Sequence, residues 1–269
     1  MTQQARQHPP LWVEPGDPLP DPTSVGPDSP WEGPATWPEG LIAAGNDLGA
    51  KRLIEAYSKG LFPWFSEGQP VLWWSPDPRM VLQTNNFKCR RSLTKAIRQM
   101  ARSGRHRISL NEAFPAVMDA CAEQRAGQDG TWITDSMKQA YCELHAAGAA
   151  HSVEIWRQNE PIQASIPAGP TDTTEELAGG LYGVSLGRMF FGESMFARER
   201  DASKIALASL VLLLQRQGMP VIDCQQNTSH LASLGAMEIS RHDFLQQISC
   251  LVAQRPPDWS TMSIEFPTA

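Results

Sequence analysis

A mixed α/β fold is predicted by three features of this 269-residue sequence. HSVEIWR (151–157), GGLYGVSLG (179–187) and RMFFGESMF (188–196) read as successive antiparallel strands, the last two joined at a Leu-Gly turn. SLTKAIRQMARSG (92–104), DSMKQAYCELHAAG (135–148) and ASKIALASLVLLLQRQG (202–218) carry apolar residues at helical spacing. A buried-type strand, VIDCQ (221–225), follows the most apolar helix after a short turn.

Taken in order, residues 1–38 hold ten of the 22 prolines and show no hydrophobic period, which predicts an extended or disordered arm. DLGAKRLIEAYSKG (47–60) predicts a short amphipathic helix, with Asp47 as N-cap and Gly60 past its end. In FPWFSEGQPVLWWSPDPR (62–79), four prolines exclude a helix, and VLWW fits a brief strand. A small N-terminal domain is therefore expected over 39–77 and a larger one over 78–269. The larger one opens with a strand, MVLQT (80–84), followed by the 92–104 helix capped by Ser92, with Leu93, Ile97, Met100 and Ala101 on its apolar face. LNEAFPAVMDACAEQ (110–124) and the helix opened by Asp135 and stopped by Gly148 come next. The Pro- and Thr-rich stretch over 158–177 reads as a surface insertion between the first two strands of the antiparallel set. A short helix around HLASLG and a final one, HDFLQQISCLVAQ, close the chain. Strand, helices, three antiparallel strands, helix, strand is the element order of the N-acetyltransferase-like fold. That fold holds coenzyme A pyrophosphate on a Gly-rich turn before its main helix. Here the turn is ARERDASK, without glycine, which argues against coenzyme A.

Composition narrows the function classes. The longest apolar stretch, Ile205 to Leu214, is half of the roughly 20 residues needed to span a bilayer, and MTQQARQHPP lacks the regions of a signal peptide. A cytoplasmic chain is expected. Five cysteines without a CxxC pair and six histidines without HExxH give no disulfide framework and no metal site. P-loop, GxSxG and post-strand GxGxxG patterns are also missing. Net charge is −6, yet Lys88 to Arg107 carries +8 without an acid, leaving −14 for the rest. This is either a polyanion-binding helix or a solvated helix face.

The remaining motifs are FPWF, WWSPDPR, GTWIT, FFGESMF and IDCQ. Their tryptophans either pack or stack on a ligand; Trp73 and Trp74, being adjacent on a strand, face opposite ways. Glu193 and Asp223 are acids in apolar strands, and acids are rarely buried unpaired. Asp223 and Gln225, two apart on a strand, are expected on one side. A structural hydrogen bond is the plain alternative for either acid.

With these motifs in this order, the chain resembles the leucyl/phenylalanyl-tRNA–protein transferase family from about Leu19 to about residue 259. The resemblance implies a small N-terminal domain joined to an acetyltransferase-like domain. It implies transfer of Leu or Phe, with Met as a third donor residue, from aminoacyl-tRNA to the α-amino group of proteins beginning with Arg or Lys, marking them for degradation. Neither cofactor nor metal is implied, and the chain is expected to act as a monomer. By the same resemblance Trp64 and Trp132 flank the 3′-terminal adenosine, with Tyr141 and Ser194 at polar positions beside it. Phe190, Met195, Leu181, Leu214 and Ile222 line the pocket for the Leu or Phe side chain; Leu181 stands where relatives often have Met, and Leu214 where they often have Phe. Arg90, Arg91, Lys95 and Arg98 would meet acceptor-stem phosphates. Of the catalytic set Asp223, Gln225 and Glu193, Asp223 is expected to polarise and orient Gln225, which holds the attacking amine, with proton abstraction by Asp223 as the alternative, while Glu193 contacts the cationic acceptor or the aminoacyl amine. Trp73 and Trp74 are left to packing. The competing readings are an acetyltransferase-like enzyme with another acyl donor, and an RNA-binding module without chemistry.

Overall fold

The computed structural model describes residues 11–23, 38–126, 132–158 and 175–267. Most of the arm and of the expected 158–177 insertion lie outside the described residues.

The chain is mixed α/β, built on two sheets. The smaller contains β1 (Leu11–Val13), β2 (Leu41–Gly45), β3 (Phe62–Pro63) and β4 (Val71–Trp74), in the order β1-β2-β4-β3. Helix α1 (Ala50–Ser58) connects β2 to β3. The arm thus supplies a strand, parallel to β2. Leu19 further along it is buried, and its N–H donates to Glu55 Oε1 at 2.8 Å.

The larger sheet begins at β5 (Arg79–Gln83), followed by α2 (Arg91–Arg102), β6 (His106–Leu110), α3 (Phe114–Ala126) and α4 (Asp135–Ala146). Then come β7 (Ala150–Gln158), β8 (Glu175–Leu186), β9 (Met189–Ala197), α5 (Ala202–Arg216) and β10 (Val221–Gln225). The chain ends with α6 (Ser229–Ser233), β11 (Met237–Ile239), α7 (Arg241–Val252) and a 3₁₀ turn at Trp259–Thr261. Sheet order is β11-β5-β10-β9-β8-β7-β6. Strands β6 to β9 run antiparallel, whereas β9 and β10, linked through α5, are parallel. Gly187 makes the β8–β9 turn at φ +56, with the carbonyls of Leu251 and Val252 filling the space a Cβ would need.

Alternation along the strands divides the interior in two. Met80, Leu82, Leu181, Phe190 and Ile222 join one cluster with α2 and α5. Their neighbours Val81, Tyr182, Phe191 and Val221 join the other, with α1, α3, α4 and α7. Helix α5 is buried almost all round, as a helix with so few polar positions must be. Among the described residues, no helix is long and apolar enough to cross a membrane.

Some local expectations are corrected. Asp47 does not cap α1; the N-cap is Gly49, and Asp47 instead accepts from Arg52 Nε at 3.0 Å. Ser92 lies inside α2, whose N-cap is Arg90 with no side-chain cap, and Ala101 is exposed. Helix α4 does open at Asp135 as expected, with Thr134 as its N-cap, whose hydroxyl accepts from Met137 N. Strand β6 was not among the expected elements: HRISL is an edge strand, half-buried except at Ser109, so its alternation is weak.

Candidate active site

A cavity of about 440 Å³ opens where the two sheets meet. The FPWF segment forms one wall, β8 and β9 another, and α5 and the end of β10 close the floor. Of the expected residues, Trp64, Trp132, Leu181, Phe190, Glu193, Ser194, Met195, Ile222 and Gln225 line it. Trp64 is 40% exposed, although its neighbours Phe62 and Phe65 are buried. Trp74 braces it: the rings lie 5.6 Å apart, and Trp74 Nε1 donates to the Trp64 carbonyl at 2.7 Å. Trp73 is buried in the core.

Three expected residues lie elsewhere. Leu214 is buried one turn beyond Leu210 on α5, about 6 Å further along the helix axis, so Leu207 and Leu210 reach the cavity in its place. Tyr141 is wholly buried behind Glu193 and donates to its Oε2 at 3.0 Å. Its hydroxyl also makes a short hydrogen bond with that of Tyr57 on α1. Burial, reinforced by the Glu193 charge, holds both phenols well above their ordinary pKa, so they stay donors.

Asp223 is also buried, beneath the cavity rather than in its wall. Its carboxylate takes a two-pronged bond from Arg79, Nε to Oδ1 at 2.8 Å and Nη2 to Oδ2 at 2.6 Å. The same guanidinium donates to the Gly60 carbonyl at 3.3 Å and lies over the rings of Phe62 (4.8 Å) and Phe244 (4.4 Å). Arg79 therefore ties the small sheet, the large sheet and α7 together. Sequence reasoning missed it, although WWSPDPR was singled out; the available signal was an acid in a buried strand, which demands a cation.

The expectation that Asp223 and Gln225 share one side of a regular strand is corrected. A bulge interrupts β10 between them, and Gln225 has φ +56. Asp223 Oδ1 instead accepts the Gln225 backbone N–H at 2.9 Å. The freed side chain turns into the cavity, where Nε2 donates to Glu193 Oε1 at 3.0 Å. Asp223 thus orients Gln225 through the main chain.

Glu193 accepts from Gln225 and Tyr141 together. Burial, aided by the nearby Asp223 charge, pushes its carboxyl up to about 7, against the opposing pull of Tyr57, Tyr141 and Arg79. The raised value means that the fold favours the protonated acid. Its stabilising contribution is full below the ordinary carboxylate range and is lost as pH rises through 7. Glu193→Gln removes this dependence: the difference in melting temperature between variant and parent should widen in the variant's favour from pH 5 to pH 8. A constant difference would show that Glu193 does not titrate there.

On α2, Leu93, Ile97 and Met100 face the core. Arg91, Lys95 and Arg98, with Thr94 and Arg102, line a shallow groove of about 630 Å³, while Arg90 is exposed at the helix start. Among the described residues, no group of three or more His, Cys, Asp or Glu is placed to hold a metal ion.

The model for the family described as "Leucyl/phenylalanyl-tRNA protein transferase" matches residues 81–166 and 170–249, and that for its N-terminal domain matches 46–77. A protein of Chromobacterium violaceum named "Leucyl/phenylalanyl-tRNA--protein transferase" is 51% identical over 239 residues, covering 85% of this chain and 94% of its own. One of the same name from Burkholderia lata is 50% identical over 242 residues, covering 87% and 89%. A solved structure titled "Crystal structure of FemX" superposes with a TM-score of 0.42 at 9% identity, covering 64% of this chain and 63% of its own.

Proposed function

The chain belongs to the leucyl/phenylalanyl-tRNA–protein transferase family, and from that premise we propose that it moves Leu or Phe from aminoacyl-tRNA to the α-amino group of proteins beginning with Arg or Lys. The product then enters N-degron degradation. The observation that carries this reading is the cavity itself. Two tryptophans stand at its wall, its side-chain pocket is apolar, and a linked Gln225–Glu193–Tyr141 set lies beside them.

Trp64 and Trp132 take the 3′-terminal adenosine by stacking, with Ser194 beside them, and Tyr141 acts through Glu193. Leu181, Phe190, Met195 and Ile222, with Leu207 and Leu210, receive the Leu or Phe side chain. Unbranched Met195 suits guests of different shape. The groove on α2 meets acceptor-stem phosphates through Arg91, Lys95 and Arg98, with Arg90 nearby. Stacking on one base is worth about 1–3 kcal/mol, so Trp64→Ala and Trp132→Ala should each raise KM for charged tRNA roughly five- to 150-fold. Steady-state kinetics check this; equal losses in kcat alone would count against stacking.

The chemistry is aminolysis of an ester already activated. The amine nitrogen attacks the carbonyl carbon, the bond to the ribose oxygen breaks, and the tRNA hydroxyl leaves with the proton. A neutral amine must sit about 3 Å from the carbonyl. An α-amino group has a pKa near 8, so a useful fraction is neutral at pH 7. With its amino group given to Glu193, Gln225 presents Oε1 to the N–H of that amine. Glu193, its carboxyl pushed up to about 7, faces the cationic partner and meets it as a carboxylate once pH exceeds that value.

The element order supports an acetyltransferase-like domain over 78–269, with a small domain over 39–77 and the arm over 1–38. The antiparallel run β6 to β9, then α5 and the parallel strand β10, suits that topology. At the N-cap of α5 stands Asp201, paired with Lys204 at 2.7 Å, an acid where a coenzyme A pyrophosphate would have to bind. The reading is completed by a monomer working in the cytoplasm beside charged tRNA.

The test is to incubate the protein with charged Leu-tRNA, charged Phe-tRNA or acetyl-coenzyme A and peptides beginning with Arg, Lys or Ala, and to weigh the peptides. One added Leu or Phe on the Arg and Lys peptides is expected. Acetylation, or tRNA binding without product, would overturn the reading.

A further inference from the structure

We propose that Trp259, in the C-terminal segment, sets the depth of the side-chain pocket and so tunes the choice between Leu and Phe donors; this rests on the transferase reading above. Trp259 lies beyond the segments matched by the family models, which end at residue 249. It is 7% exposed, and its ring centre is 5.9 Å from that of Phe190, tilted by 42°. Phe190 is part of the cavity wall. It also packs over Gly183, where an added Cβ would lie 2.5 Å from Phe190 Cε1 and 2.8 Å from Cζ. Glycine backbone and indole together leave this ring little room to move.

Trp259 is itself held in place. It stacks on His151 with ring centres 3.9 Å apart and planes within 12°, and its Nε1 donates to Ser185 Oγ at 3.0 Å. Burial drives the His151 imidazole down to about 3, so this partner is a neutral ring. The rest of the segment, through Met262, Ile264 and Phe266, packs on the same cluster that contains Leu181, Leu207, Leu210 and Ile222. Interiors are close-packed, so the position of the Phe190 wall follows what stands behind it. A small change in pocket depth acts on a Leu-or-Phe choice, because even one methylene of fit is worth about 10- to 200-fold in selectivity.

The experiment compares kcat/KM for charged Leu-tRNA and charged Phe-tRNA, with an Arg peptide as acceptor, in the parent protein and two variants. Trp259→Leu lets Phe190 retreat and should raise the Phe:Leu ratio about tenfold, and Trp259→Phe should raise it about threefold. If the Leu variant does not fold, the Phe variant carries the test alone. In a Phe190→Leu background the further change Trp259→Leu should leave the ratio where it was, because the indole acts through Phe190. A merely structural tryptophan lowers both rates together. Ratios within about twofold of the parent in every folded variant overturn the proposal while the transferase reading stands. A parent protein that transfers neither residue overturns both.

Discussion

Replacing Arg79 with Met is expected to cost about 3–5 kcal/mol of stability and to abolish transfer, because it leaves the Asp223 carboxylate buried without its cation. Denaturant unfolding and the peptide assay check the two parts separately. The double variant Arg79→Met with Asp223→Asn removes both charges and should recover much of the lost stability, as paired removal usually does. It should not recover activity. Arg79 also holds the Gly60 carbonyl and lies against Phe62, next to the Pro63–Trp64 wall, while Asp223 holds the backbone of Gln225. Losing the pair therefore releases two sides of the cavity at once. Arg79→Lys keeps the charge but not the planar fork, so it should fold and yet transfer slowly. Full activity in the Lys variant would show that the fork geometry does not matter.

Gln225→Gly carries the second large effect, and its two parts run in opposite directions. Transfer should fall on the order of a hundredfold in kcat, because misplacing the attacking group by about 1 Å costs that much. Stability should be unchanged or higher by up to about 1 kcal/mol, because φ +56 is strained for Gln and free for Gly. Single-turnover kinetics at saturating charged tRNA and a melting curve read the two parts. A variant that is both active and less stable would reverse the assignment, making Gln225 a structural residue.

Much of the cavity wall was legible because its residues sit in motifs with unusual local chemistry, such as tryptophan among prolines or an acid in an apolar strand. Leu207 and Leu210 were within reach too, since they precede Leu214 on α5 at helical spacing; what periodicity lacks is where along the helix the cavity ends. Arg79–Asp223 spans 144 residues and Tyr57–Tyr141 spans 84, and nothing local to either partner names the other. The bulge after Asp223 was invisible for a related reason. The two-residue repeat of a strand describes a regular ladder, and here a side-chain bond to the backbone breaks it. The caps at Asp47 and Ser92 failed because side-chain preference says which residues suit a cap, whereas the chain's path decides which residue occupies one. Edge and short strands, β6 and β11 among them, are half-buried or exposed and carry little pattern to read.

On the proposed function, the cavity walled by Trp64, Trp132, Glu193 and Gln225 is where the aminoacyl ester is bound and opened. Phenylalanyl-adenosine, the end of a charged tRNA without its stem, isolates that claim from the groove on α2. Its rate of transfer to a peptide beginning with Arg is the measurement. At saturation, phenylalanyl-adenosine should give a kcat close to that of the full charged tRNA, with a much higher KM, and Gln225→Gly should lower both rates alike. No product from the adenosine ester, under conditions where charged tRNA does react, would contradict the claim.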